Sequence, residues 1–312
     1  MSAGPASEQD RDWLAPYPLD VRLVLGVHRR GAGDPAFRAE PGGAVWRTSL
    51  TPRGPATLRV TATQVTEAGT QVRARAWGPG AGWLLDGLPA LLGSADDPAA
   101  FQPAYPVLRD IARRHPGFRI GATRRVFEAL APAVLEQKVV GLEAFRAWRL
   151  LLRRFGLPAP GPAPPGLRVC PPPGTWAAIP SWEWHRAGVE GIRAATIIAA
   201  ARVAGRLEDI SGLPPEQADR RLRSLSGIGP WTSAEIRQRA CGDPDAVSVG
   251  DYNLPGAVGW ALAGRVVDDA GMLDLLAPMA GHRHRATRLI ELSGIRPPRR
   301  GPRNAVRDYR AI

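Results

Sequence analysis

Cysteine is almost missing from the 312-residue sequence: Cys170 and Cys241 are the only two. Two thiols cannot build a disulfide framework, a four-thiolate zinc site or an iron–sulfur cluster. Lysine is scarcer still, with Lys138 alone among 41 basic side chains. No stretch of about eighteen uninterrupted apolar residues occurs, and the opening MSAGPASEQDRDWLAPYPLD lacks the basic start and apolar run of a secretory signal. The expectation is a cytoplasmic protein, bacterial in type and nucleoid-associated, with no membrane partner.

What is present bounds the answer further. Hydrophobic residues make up 44% of the chain, enough for one large domain or two of ordinary size. The formal charge is +12, which draws a soluble chain toward polyanions, above all nucleic acid, through release of condensed counterions. No basic amphipathic helix stands out that would favour an acidic membrane instead.

Apolar periodicity divides the chain. VRLVLGVH, AVWRTSLTP, ATLRVTATQV and TQVRARAWG, between about residues 20 and 78, are β-rich runs separated by Gly/Pro turns, the last alternating Val72, Ala74 and Ala76 against Arg73, Arg75 and Trp77. GWLLDGLPALLG reads as a helix, and from about residue 100 the runs from VLRDIARRH to RHRATRLIELSG carry helical spacing. The expected fold class is α+β, a small N-terminal antiparallel sheet domain followed by an all-α domain. The expected limits are a flexible N-terminus over 1–17, the sheet domain over 18–100, the helical domain over 101–295 and a basic tail over 296–312. The proline-rich 156–174 reads as a surface loop inside the helical domain.

One stretch carries the chemistry. In LSGIGPWTSAEIRQRACGDPDAVSVGDYNLP, residues 225–255, a helix reaches a glycine hairpin that cannot continue it, and Pro230 sits where a missing N–H costs a new helix nothing. Gly227 and Gly229 tolerate positive φ and leave the hairpin backbone open to a phosphate at the next helix's N-terminus. By itself such a turn is equally well a structural C-cap, and Asp251, just before LPGAVGWALAG, reads equally well as a helix cap.

Leu225, Gly227, Ile228, Gly229 and Thr232, followed by the apolar run Ala246–Val249 leading through Gly250 to Asp251, resemble the helix-hairpin-helix DNA glycosylase superfamily. GIGPWT and GDYNLP are most similar to the 3-methyladenine DNA glycosylase II (AlkA) type, and the order of sheet then helices agrees over roughly residues 18–295. The resemblance implies base flipping from double-stranded DNA by a monomer, with Asp251 as the catalytic carboxylate stabilising an oxocarbenium-like sugar. Bifunctional members carry a nucleophilic lysine where this chain has Trp231, which implies base excision without strand cutting. No cofactor or metal is expected for chemistry; an alkali cation at the hairpin carbonyls is a family feature.

Trp231 and Tyr252, each flanking a motif, are the candidates to stack on the flipped base, Trp231 reading also as a core residue. AVLEQKVVG resembles the family's wedge junction, where Gln137 would fill the gap and Lys138 contact phosphate, and reads otherwise as an ordinary helix end on the surface. Glu235 and Glu291 stand where the family has pocket aromatics, and read either as surface carboxylates or as a more polar pocket. His282 and His284, between arginines, have poor metal spacing and read as phosphate contacts or solvated surface. The functional expectation is a monofunctional glycosylase for alkylated purines. Its alternatives are a glycosylase for deaminated or oxidised bases and an inactive homologue that only grips damaged DNA.

Overall fold

A computed structural model describes residues 8–65 and 69–298. Its N-terminal part consists of β1 (Glu8–Ala15), α1 (Val21–Gly26), β2 (Phe37–Ala39), β3 (Val45–Thr51), β4 (Gly54–Val65), β5 (Thr70–Trp77), α2 (Ala81–Asp86) and α3 (Leu88–Leu91). The strands form one antiparallel sheet in the order β1-β5-β4-β3-β2. Val60, Val72, Ala74 and Ala76 on its inner face pack under Leu25, Leu85 and Leu88.

The structure departs from the sequence expectation at three points. The chain expected to be flexible up to residue 17 instead forms β1, with Trp13 opposite Val72 and Asp12 accepting two hydrogen bonds from Arg73 at 2.8 and 3.1 Å. Pairing removes the exposed edge that β5 would otherwise present; residues 1–7 lie outside the described residues. VRLVLGVH is the helix α1 rather than a strand, because Asp20 accepts from the amides of Arg22 and Leu23 at 2.9 and 3.1 Å and caps it. Trp77, grouped by its alternation with Arg73 and Arg75, is instead buried against Trp46 with ring centroids 5.4 Å apart.

The helical part runs through α4 (Pro106–Arg114), α5 (Val126–Leu135), α6 (Gly141–Phe155), α7 (Pro173–Ala178), α8 (Ser181–Ala187), α9 (Gly191–Arg202), α10 (Ala204–Glu208), α11 (Pro215–Arg223), α12 (Pro230–Ile236), α13 (Leu254–Ala263), α14 (Asp269–Leu276) and α15 (Arg283–Ser293). It holds two cores. One centres on Leu130, Leu151, Trp176 and Ile197, and the other joins α4 to α13, α14 and α15 through Leu108, Val258, Met272 and Ile290. Trp184 stacks on Trp176 at 5.7 Å inside the first core, while Trp182 on the opposite face is exposed.

The proline-rich segment, expected to be a surface loop over 156–174, loops only in its middle: Leu157–Pro158 pairs antiparallel with Arg168–Val169, and its end from Pro173 opens α7. It lays Leu167 against Trp46 and Trp77, and the Arg168 amide donates to Pro35 O at 2.7 Å while the Thr48 hydroxyl donates to Arg168 O at 2.6 Å. Arg47 pairs with Glu128, which also accepts from Ser49 Oγ at 2.8 Å, and Arg30 pairs with Glu136 at 2.9 Å. These contacts fasten the sheet to α5 and to the turn that follows it. Among the described residues no helix is long and apolar enough to cross a membrane. The basic tail falls mostly at 299–312, outside the described residues.

Candidate active site

The hairpin forms because α11 reaches Gly227, whose φ of 84° is left-handed. A Cβ there would lie 2.2 Å from Thr196 Oγ1 on α9, so any other residue would have to push the Thr196 side chain aside. Gly229 differs from its sequence reading: its backbone is extended, at φ −92° and ψ −177°, and a Cβ would meet open space. Ile228 buries its side chain between the two glycines, its amide donating to Leu225 O at 3.1 Å. Thr232, on the buried side of α12, accepts from Gln137.

Asp251 follows a turn at Gly250, where φ is 90°. Its Oδ1 accepts from the amides of Asn253 and Leu254 at 2.8 and 2.9 Å, and its Oδ2 accepts from Trp231 Nε1 at 3.2 Å. The two sequence readings of this residue therefore coexist: one oxygen caps α13 while the other, tied to the hairpin's tryptophan, lines a cavity. Turning Asp251 inward points its neighbour out, and Tyr252 is 85% exposed, outside the cavity it was expected to line.

That cavity, about 180 Å³ in volume, is smaller than the roughly 300–1,000 Å³ of drug-sized sites and matches a single heterocycle. Glu235 and Glu291 both line it. Glu235 Oε2 accepts from Arg239 at 2.7 Å and Oε1 from Ser248 Oγ at 2.6 Å, while Gln238 donates to Ser248 Oγ at 2.9 Å. Burial acts to raise the Glu235 carboxyl, but Arg239, the Ser248 hydroxyl and Arg30 outweigh it and hold it below the usual carboxylate range. Glu291 pairs with Arg288 one turn back, and Glu136, also on the wall, pairs with Arg30. Asp251 is the lining carboxylate with no arginine on it among the described residues.

His284, read from sequence as a surface or phosphate-contacting residue, is 7% exposed and lines the cavity. Burial first, then Arg288, Arg239, Arg285 and Arg237, holds it well below its ordinary pKa, so the ring is neutral. The reason for the misreading is local: its flanking arginines turn away to carboxylates, Arg283 to Asp245 and Arg285 to Asp96. A signal existed, since His284, Arg288 and Glu291 recur at helical spacing on one face, as do Glu235 and Arg239. Arg119 and Glu136 reach the wall from loops and carried no such signal.

Gln137 also departs from its expected role. Its side-chain amide donates to Gly227 O at 2.9 Å and to Thr232 Oγ1 at 2.8 Å, so it is tethered to the hairpin rather than free to fill a gap. Lys138, next along, is exposed at the tip of the turn with a left-handed φ of 56°. Among the described residues no group of His, Cys, Asp and Glu could hold a metal ion.

No family model and no curated protein matches the sequence. Solved structures do. A 3-methyladenine DNA glycosylase from Archaeoglobus fulgidus superposes with a TM-score of 0.71 at 17% identity, over 91% of this chain and 98% of that one. This chain has the DNA glycosylase fold. An 8-oxoguanine glycosylase/lyase from Clostridium acetobutylicum gives a TM-score of 0.66 at 12% identity, over 93% of this chain and 99% of that one. The same enzyme with double-stranded DNA containing cytosine opposite 8-oxoguanine gives 0.65 at 11% identity. The glycosylase fold thus covers both parts of the chain, and the expected α+β class, a sheet domain followed by a helix-hairpin-helix domain, is the class observed.

Proposed function

We propose that this protein is a monofunctional DNA glycosylase that hydrolyses the N-glycosidic bond of a damaged base flipped from duplex DNA. The observation that carries the reading is the unneutralised charge of Asp251 in the wall of a base-sized cavity beside the hairpin. A carboxylate fixed there, its oxygens oriented by Trp231 and the α13 amides, stabilises positive charge as it appears on the deoxyribose. Chain atoms that only gripped DNA would gain nothing from an uncompensated anion near phosphates.

In this mechanism the duplex docks as a monomer's ligand on the hairpin at Gly227–Gly229, where the open backbone at Gly229 admits a phosphate. The Lys138 turn enters the space the base leaves, while Gln137 keeps that turn in register with the hairpin. The C1′–N bond then breaks with its electron pair going to the base, Asp251 faces the oxocarbenium sugar, and water adds to C1′ and loses a proton. Among the described residues no amine lines the cavity, Trp231 standing at the position where the bifunctional members of the resembled superfamily carry lysine, so hydrolysis ends at an intact abasic strand. The carbonyls of Leu225 and Gly227 each accept one hydrogen bond and keep a second lone pair. They would hold an alkali cation, which would add positive charge beside the phosphate.

The sequence resemblance favours alkylated purines as the damage. A second class, deaminated or oxidised bases, is favoured by Glu235 and Glu291 lining the cavity in place of aromatic rings. Asp251→Asn tests the enzyme itself: base release from damaged duplexes is lost while DNA affinity holds or rises. Undiminished release by that variant overturns the reading. Strands cut before alkali treatment, with an adduct trapped by borohydride, overturn its hydrolytic part.

A further inference from the structure

Two charges on the cavity wall make no ion pair among the described residues, and they differ in sign, although Asp96 and Asp97 act on the second from beyond ion-pair distance. Asp251 is one. The other is Arg119, which lines the cavity from the loop after α4. Its guanidinium lies over the Tyr17 ring at 4.0 Å, it makes no ion pair among the described residues, and its Nε is buried without a hydrogen-bond partner. The remaining charged residues cancel in pairs: Glu235 with Arg239, Glu291 with Arg288, Glu136 with Arg30.

The two damage classes place charge differently as the glycosidic bond breaks. A cationic N-alkylpurine takes up the bond's electron pair and leaves neutral, so a cation beside it gains nothing in the transition state and repels the substrate on entry. A neutral purine leaves with excess negative charge, which a fixed cation stabilises. An anion at the sugar and a cation at the base together are complementary to the second transition state.

The rest of the wall agrees. His284, neutral and buried, has ring nitrogens with no hydrogen-bond partner among the described residues, so the ring offers one donor and one acceptor to whatever enters. An alkylated base whose edge lacks matching groups would leave these polar atoms buried and unpaired, which a hydrogen-bonding site rejects strongly. Of the lining residues only Phe118 and Trp231 are aromatic besides His284, and Trp231 directs its N–H to Asp251, a poor cage for a cation.

We propose that the pocket is built for neutral oxidised or deaminated purines, with Arg119 taking up the charge that departs with the base and His284 reading its edge. This rests on the glycosylase reading above.

The test is single-turnover base release by the full chain from duplexes bearing 8-oxoguanine, hypoxanthine, 7-methylguanine or 3-methyladenine, with Asp251→Asn as the blank. Release of the neutral bases is expected. Release of the methylated bases alone overturns this inference and leaves the glycosylase reading standing; release of none overturns both. Arg119→Gln separates chemistry from packing. Across neutral purines of rising basicity at the leaving nitrogen, its deficit should widen, to roughly a hundredfold for the poorest leaving group. A deficit equal across that series, together with a lowered urea midpoint, would make Arg119 a structural residue stacked on Tyr17 and overturn its role.

Discussion

The indole N–H of Trp231 donates to Oδ2 of Asp251 across 3.2 Å, joining the first turn after the glycine hairpin to the carboxylate twenty residues downstream. Trp231→Phe keeps the ring and removes this bond. A hydrogen bond to a charged group contributes roughly 1.5–3 kcal/mol, so single-turnover base release is expected to fall roughly tenfold or more with DNA affinity unchanged. Wild-type release by the variant would mean that the α13 amides orient Asp251 unaided.

The hairpin glycines should separate stability from binding. Gly227→Ala forces a Cβ onto Thr196 and strains a left-handed backbone, costing more than about 1 kcal/mol in urea unfolding. Gly229→Ala meets no neighbour and keeps an extended backbone, so its unfolding midpoint should match wild type while DNA affinity drops. Equal affinity for the Gly229 variant and wild type would remove the hairpin from the DNA interface.

Stability should fall on acidification from about pH 6.5, the ordinary histidine value that His284 lies well below. The folded state holds this ring neutral, so the unfolded chain binds the extra proton and each pH unit below the unfolded pKa removes up to about 1.4 kcal/mol. His28, whose pKa is lowered by burial and then by Arg47, Arg239 and Arg30, acts in the same direction. His284→Asn should flatten the slope of unfolding free energy between pH 6.5 and 5 relative to wild type; an unchanged slope would place the titration elsewhere.

Arg285 and Asp96 are 2% and 1% exposed and pair across the junction of the sheet domain and α15. Asp96 also accepts from the Ile120 amide at 2.9 Å, one residue past Arg119. Asp96→Asn leaves a buried guanidinium uncompensated and should lower stability by roughly 3–5 kcal/mol, measured by urea unfolding. Arg285→Met together with Asp96→Leu should recover much of that loss.

The parts of the site that were legible in the sequence are the local ones. Gly227, Trp231 and Glu235 lie within nine residues, and Asp251 is marked by the glycine and apolar run before it, so spacing alone brings them forward. Tyr252 and Gln137 were misjudged because side-chain direction is set by hydrogen bonds that spacing does not encode: a cap made by Asp251 in one case, the Gly227 carbonyl in the other. α1 was misread because its apolar residues suit a strand as well as a helix, and a single aspartate cap decided between them. Arg119 and Glu136 enter the wall only through the meeting of three packed regions, and nothing local in the sequence announces that.

The proline-rich loop seated on Trp46 and Trp77, with Arg30 and Arg47 anchored in the helical half, has a consequence for how a lesion is found. Val24 and Val27 of the N-terminal part meet the helical wall of the cavity across a junction held by these contacts. On the proposed function, a lesion that weakens its own base pair costs less to flip and reaches the cavity ahead of one that does not.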